Sequence, residues 1–204
     1  DATHLQLAFL PKGGQISHGT ATTMASRLGE GGTARENGKL VGKPLGHKSL
    51  LVDVNGKKLF TMTIPWGDIS TAYHTTGIEN IEVYTGMKPT VYRFLKFQFL
   101  FNWILRKKSV RNYIQQKINS RPAGPTDEQR ATAKTTVWGK VWNAKGEEKT
   151  SVLECADGYS VTAWGCLLIT QKIMKGDLKT GYQTPASCYG KDLILEIPKS
   201  KRIS

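Results

Sequence analysis

The feature that most constrains the fold of this chain is an Asn-Gly dipeptide between two strand-like runs. Asn55-Gly56 separates SLLVDV from KKLFTMTI. Asn-Gly is the preferred dipeptide of a two-residue hairpin because both of its residues tolerate a positive φ. Asn37-Gly38 is a second dipeptide of this kind. We therefore expect antiparallel strands joined by tight turns.

Further strands are predicted on both sides of these hairpins. THLQLAFL (3–10) and IENIEVYTG (78–86) have the composition of strands. KTTVWGKVWNA and KTSVLECA alternate apolar with polar residues and predict a hairpin around Lys145-Gly146. The strands thus occur in groups joined by short turns.

Helical patterns separate these groups of strands. They cover residues 20–32, 88–120 and 159–176. A last helix is predicted to begin at Thr184 as N-cap, with Pro185 in the first turn. The predicted fold class is α+β, a mixed and largely antiparallel sheet built from hairpins and covered by helices.

The length of 204 residues fits a single domain, 1–204, with an internal Pro/Gly linker at 121–132. The chain starts at Asp1 without Met and inside a strand-like run, so we expect a piece of a longer protein. No G-x-G-x-x-G follows a strand, and no Walker loop, G-x-S-x-G or H-E-x-x-H motif occurs.

The chain carries a net charge of +13, from 29 Lys and Arg against 16 Asp and Glu. The excess is scattered and follows no helix-turn-helix, zinc-finger or RNP pattern, so nucleic-acid binding is a minor alternative.

The three cysteines have no metal-ligand spacing and predict buried reduced thiols in a cytoplasmic protein, with no metal site.

A strongly polar stretch, IPWGDISTAYHTTG (64–77), joins two predicted strands. It supplies a carboxylate, an imidazole, a phenol and four hydroxyls where a turn would suffice. This density predicts a functional site. The other histidines are weaker candidates, because His18 and His47 lie in glycine-containing loops typical of the surface and His4 lies on a strand.

Three stretches together resemble the C-terminal half of the saccharopine dehydrogenase-like oxidoreductases. They are GTATTMASRLGEGGTARENGKLV, TIPWGDISTAYHTTGIENIEVY and GYQTPASCYGKDLILEI, in the family's order. With the hairpin VWGKVWNAKGEEKT they cover nearly the whole chain. The resemblance implies an N-terminal Rossmann domain that binds NAD or NADP and is absent here, and a substrate and dimerisation domain that corresponds to this chain.

The resemblance implies roles for the polar stretch in hydride transfer to or from a small-molecule substrate. The expected proton-exchanging or orienting residues are Asp68, Tyr73 and His74, and the expected substrate contacts are Trp66, Gly67, Ser70 and Thr71. A purely structural alternative is that Ser70 or Asp68 caps a short helix while Trp66 and Tyr73 fill the core and His74 is half-buried.

Residues 91–105, VYRFLKFQFLFNWIL, are apolar on more than one side of a helical wheel. Phe94, Phe97, Phe101, Ile104 and Leu105 share one arc and are expected to face the core. Leu95, Phe99, Leu100 and Trp103 fall outside that arc and need a second cover. We expect a homodimer interface, with the missing domain or a membrane surface contacted by Arg106, Lys107, Lys108 and Arg111 as alternatives. The alternative to an enzymatic function is a non-catalytic binding or membrane-peripheral protein that keeps the same fold.

Overall fold

The computed structural model describes residues 1–122 and 124–203, and nine strands in this part of the chain form one sheet. The strands are β1 (His4–Lys12), β2 (Gly32–Glu36), β3 (Lys39–Lys43), β4 (Ser49–Val54), β5 (Lys57–Thr63), β6 (Asn80–Gly86), β7 (Lys134–Trp142), β8 (Glu148–Ala156) and β9 (Lys201–Arg202). Their order is β3-β2-β6-β1-β7-β8-β9, and the β4–β5 hairpin joins at β6 through β5.

The sheet is mixed, as predicted from the hairpin turns. β1 pairs in parallel with β6 and antiparallel with β7. Asn37-Gly38 and Asn55-Gly56 turn between their strands with positive φ at all four residues. The β7–β8 hairpin also forms, and its turn includes Gly146 at φ 81°. The α+β fold class is therefore confirmed.

The helices lie between these strand groups. They are α1 (His18–Ser26), α2 (Asp68–Thr76), α3 (Pro89–Leu95), α4 (Asn102–Leu105), α5 (Lys108–Asn119), α6 (Asp127–Thr132), α7 (Gly158–Met174) and α8 (Pro185–Tyr189). Across the described ranges, no helix has the length and apolar character needed to cross a bilayer. Of the predicted linker 121–132, residues 127–132 form α6, and Ala123 lies outside the described residues.

Two helices are shorter than predicted because glycines end them early. The helix expected over 20–32 ends at Ser26, Gly29 and Gly31 have positive φ, and Gly32 already belongs to β2. The helix after Thr184 is the short α8. Thr184 does act as its N-cap, but Gly190 ends it at φ 84°.

The stretch 88–120 is helical for the most part, as predicted, but it is divided into α3, a 3₁₀ turn, α4 and α5. Gln98 explains the break. Its side chain is buried and donates hydrogen bonds to the carbonyls of Leu45, at 2.8 Å, and Leu95, at 2.9 Å. A polar residue therefore anchors this segment, and the aromatic residues around it turn outward.

The arc expected to face the core is wrong. Phe94, Phe97 and Ile104 are exposed, whereas Leu95, placed outside the arc, packs against the core. A regular helical wheel does not apply to a segment that is not one helix. Phe101 is partly buried and stacks on Phe94 with 4.8 Å between ring centroids.

The core lies on both faces of the sheet. One face holds a cluster of Leu5, Met62, Ile64, Ile69, Ile78, Ile81 and Val83, which α2 and α3 help to cover. The other face holds Ala8, Leu10, Val52, Tyr84, Trp138 and Val152. Because β1 and β6 contribute to both clusters, they form the structural centre of the domain.

Asp157 begins α7 as its N-cap, because its buried side chain accepts hydrogen bonds from the backbone N–H groups of Tyr159 and Ser160.

The expectation of buried cysteines needs correction. The cysteines are not all buried, since Cys155 is buried but Cys166 is exposed. Cys166 is exposed because α7 keeps much of its apolar surface uncovered.

Candidate functional site

The polar stretch 64–77 follows β5 and includes the whole of α2. Ile64 is still bonded to β6 through its N–H, which donates to the Val83 carbonyl at 2.9 Å. Trp66 then packs on Phe9 with 5.0 Å between centroids, but it stays 42% exposed. Trp66 therefore lies at the margin of the core and not within it.

Neither Asp68 nor Ser70 caps α2. The N-cap is Gly67, and no side chain accepts a hydrogen bond there. The C-terminal end is closed by Gly77 in the left-handed region, at φ 70°. The structural alternative expected Ser70 or Asp68 to cap a short helix. The polar side chains at the start of α2 do not have this role.

Tyr73 is held by a buried arginine. The Arg35 guanidinium carbon lies 4.1 Å from the centroid of the Tyr73 ring. Arg35 also donates from Nε to the Ile69 carbonyl at 2.8 Å and from a terminal nitrogen to the Gly38 carbonyl. These contacts fix α2 against β2 and give Tyr73 a structural partner.

Asp68 is half-buried at the first position of α2. Burial raises the pKa of its carboxyl, and a hydrogen bond from its own backbone opposes the shift. A carboxyl with a raised pKa is closer to exchanging protons at neutral pH than an ordinary aspartate. Asp68 is therefore the member of the polar stretch whose environment best suits proton transfer.

His74 is exposed and lies away from Asp68. Its ring contacts Tyr73, at 6.1 Å between centroids, and Tyr182, at 4.9 Å. Six residues along a helix correspond to about 9 Å of rise and about 120° of rotation. Asp68 and His74 are therefore too far apart to form an acid–base pair within the helix. Of the three predicted proton-exchanging or orienting residues, only Tyr73 and His74 lie in contact.

Two threonines lie on the same side of α2 as Asp68. Positions 68, 71 and 75 have the i, i+3, i+7 spacing of one helix face. Thr71 is exposed, and the Thr75 hydroxyl donates to the Thr71 carbonyl at 2.8 Å. We call Asp68, Thr71 and Thr75 the polar face of α2. Ser70, predicted to contact substrate, is half-buried and lies off this face.

This polar face continues onto α8. The hydroxyl oxygens of Thr75 and Thr184 are 2.7 Å apart. Thr184 also lines an open cavity of about 250 Å³ between α7 and α8, together with Ile169, Ile173 and Cys188. Sequence reasoning missed Thr75 and Thr184 as neighbours because they lie more than a hundred residues apart.

A second polar cluster lies on the sheet around Glu82. Its carboxylate accepts hydrogen bonds from the Gln6 amide at 3.2 Å and from the Tyr84 hydroxyl at 2.7 Å, and it forms an ion pair with Lys48. Burial disfavours ionisation of Glu82, but these donors outweigh it and hold the pKa of the carboxyl below its usual range. Burial raises the pKa of the Tyr84 phenol, and the bond to Glu82 adds to this.

His47 belongs to this cluster, although it lies in a loop of a kind that is typical of the surface. Its side chain is only 12% exposed, with Nδ1 2.9 Å from the Thr63 hydroxyl and Nε2 3.8 Å from a Glu82 oxygen. Burial lowers the pKa of the imidazole, although Glu82 opposes the shift. Nε2 is buried without a hydrogen-bond partner in the described part of the chain. A neutral imidazole of this kind can accept a proton.

No family model and no curated protein matches this sequence. Among solved structures, the chain is similar to an apo, histidine-tagged saccharopine dehydrogenase (L-Glu forming) from Saccharomyces cerevisiae, with a TM-score of 0.53 and 9% identity. The likeness covers 100% of this chain and 68% of that chain. It establishes a distant relationship of fold, and at that level it confirms the resemblance seen in the sequence.

Proposed function

We propose that this chain is the substrate-binding domain of an NAD(P)-dependent oxidoreductase similar to saccharopine dehydrogenase. The observation that carries the proposal is the fold likeness to that enzyme along the entire chain. The polar face of α2 adds a candidate for the chemistry, because it combines an accessible hydroxyl with a carboxyl of raised pKa. The proposed setting is the cytoplasm.

The cofactor would be held outside this chain. A pyrophosphate is bound in such enzymes by a glycine-rich turn at the start of a helix. In this sequence Gly29, Gly31 and Gly32 follow the end of α1 instead of opening a helix. A Rossmann domain elsewhere in the protein would therefore supply NAD or NADP, which accepts or donates a hydride.

The residues of α2 would act on a small polar substrate. Asp68 would exchange the proton that accompanies hydride transfer, and Thr71 would hydrogen-bond a polar group of the substrate. Trp66 would cover the apolar part of the substrate, since its ring is partly exposed beside the helix. Tyr73 and His74 would shape the other side of α2, where Tyr182 adds a third ring.

The test needs the protein that contains this chain together with its nucleotide-binding domain. Asp68→Asn and Thr71→Val should lower kcat for NAD(P)-dependent oxidation of amino-acid substrates while leaving the affinity for the dinucleotide unchanged. Glu79→Gln is the matched control, because it removes an exposed carboxylate just after the same helix. Equal kcat for all three variants would refute the assignment of this face.

The isolated chain provides an independent check. Calorimetry with NAD and with NADP should detect no tight binding, because the chain has no glycine-rich phosphate loop. Micromolar affinity of this chain alone for either dinucleotide would contradict the proposal that a separate domain binds the cofactor.

A further inference from the structure

Several exposed apolar side chains lie close together in sequence between β6 and α5. We call residues 91–104 the apolar segment. Phe99 is 70% exposed and Trp103 is 59% exposed. The exposed members of the segment are Val91, Phe94, Phe97, Phe99, Leu100, Trp103 and Ile104. Clusters of this kind on a protein surface mark sites of interaction with a partner or a membrane.

The apolar segment is set in a stretch without acidic residues. No Asp or Glu occurs from residue 83 to residue 126. The basic residues of this stretch are Lys88, Arg93, Lys96, Arg106, Lys107, Lys108, Arg111, Lys117 and Arg121. Of these, only Arg111 forms an ion pair within the described ranges, with Glu30 at 3.1 Å. The remaining cations are available to an anionic partner.

The base of the segment is fixed to the domain. Arg106 donates from Nε to the Gly29 carbonyl at 2.7 Å, and Arg111 donates to the Leu28 carbonyl at 2.7 Å. Gln98 is bonded to the loop before β4 through the Leu45 carbonyl. Gln98, Arg106 and Arg111 thus fix the segment to the domain, and most of its apolar side chains stay exposed, as do Arg93 and Lys96.

Basic and aromatic side chains meet along the segment. The Lys96 ammonium lies 4.7 Å from the centroid of Tyr92, and the Lys107 ammonium lies 4.9 Å from that of Trp103. Trp103 also satisfies its own indole N–H by donating to the Leu100 carbonyl at 2.9 Å. Tryptophan beside lysine is typical of segments that lie at a membrane–water interface.

We propose that the apolar segment docks on an anionic phospholipid surface. Aromatic and aliphatic side chains would enter the boundary between headgroups and acyl chains, and the surrounding lysines and arginines would contact the anionic headgroups. A second copy of the chain fits less well. A two-fold contact through this segment would bring two acid-free basic surfaces together, and these would repel each other. The homodimer predicted for residues 91–105 stays a competing prediction.

The test is co-sedimentation of the chain with phosphatidylcholine vesicles, with and without phosphatidylserine. We expect binding only when phosphatidylserine is present, and weaker binding as salt is raised. The double variant F99S/W103S should bind at least about tenfold more weakly. K107E/K108E should also weaken binding and should flatten the dependence on salt.

Two matched controls separate this surface from the rest of the molecule. W164S/L167S removes exposed apolar residues from α7, and K57E/K58E reverses two exposed charges at the start of β5. Both should bind like the parent chain. Loss of binding in the controls and the segment variants alike, or no vesicle binding by the parent chain, would overturn the proposal. A dimer that F99S/W103S dissociates, without lipid binding, would replace it by the homodimer.

Discussion

Arg35 lies over the face of Tyr73, with its guanidinium carbon 4.1 Å from the ring centroid, and it is only 7% exposed. Within the described residues it has no carboxylate partner. A ring face and two backbone carbonyls therefore replace a counterion, and they join β2 to α2. The position of the polar face of α2 depends on this contact, because Ile69, whose carbonyl accepts from Arg35, belongs to the same helix.

Arg35→Lys should destabilise the domain by roughly 1 to 3 kcal/mol, because lysine cannot reproduce the planar contact with Tyr73 and removes the Nε donor to the Ile69 carbonyl. Urea denaturation would measure the loss. Arg27→Lys, at an exposed position after α1, is the control and should change stability by less than about 0.5 kcal/mol. Equal effects of the two variants would mean that the Arg35 contacts contribute nothing specific.

Asp68→Asn should stabilise the domain in a manner that depends on pH. The folded-state pKa of Asp68 is raised above the ordinary value of 3.8. A carboxyl whose folded-state pKa is raised contributes its full stability below pH 3.8. This contribution is lost as the pH rises through the folded-state pKa. The advantage of the asparagine variant should therefore be absent in acid, grow through this window and then level off. Thermal melts from about pH 3 to about pH 7 would follow it, and a pH-independent difference would contradict the assigned burial.

Glu82→Gln should show the opposite dependence on pH. The pKa of Glu82 is lowered, so the stability it contributes is complete above the unfolded value of 4.5 and is lost as the pH falls below it. We expect a loss of roughly 1 to 3 kcal/mol near neutral pH, because the bonds from Lys48 and Tyr84 are made to a buried carboxylate. The gap between the two proteins should close in acid. A constant gap would show that charge plays no part in it.

Thr184→Ala should cost about 1 kcal/mol, because Thr184 accepts from the Ser187 N–H as N-cap of α8. It should also loosen the contact between α8 and the polar face, since the Thr75 hydroxyl keeps its bond to the Thr71 carbonyl but loses its contact with Thr184. Thr180→Ala, at an exposed position nearby, is the control. Denaturant titration measures the first effect. Faster amide hydrogen exchange in α2 for Thr184→Ala, but not for Thr180→Ala, would report the loosened contact between α8 and the polar face.

Local sequence patterns predicted the hairpin turns and the N-cap of α8. Asn37-Gly38 and Asn55-Gly56 work through their own backbone angles, and Thr184 caps α8 within four residues. These features depend on neighbours in sequence, so a sequence can specify them. The roles of Asp68 and His74 in catalysis remain predictions, although neither side chain is fully buried.

The features that sequence reasoning missed all depend on distant partners. His47 becomes a buried group through Thr63 and Glu82, which reach it from β5 and β6. The break in residues 88–120 depends on the Leu45 carbonyl, which accepts a hydrogen bond from the Gln98 side chain. Neither partner is visible in a periodic pattern, because a helical wheel compares residues only with their own segment.

The central position of β1 has a consequence for biosynthesis. One edge of this strand is completed by β6, but the other waits for β7, and the bonded residues Thr3 and Trp142 are 139 positions apart. Such long-range pairing slows folding. On the ribosome, most of the domain emerges before the segment that closes this edge. The nascent chain therefore carries an open strand edge until β7 has been synthesised, and chaperones can bind this edge during that interval.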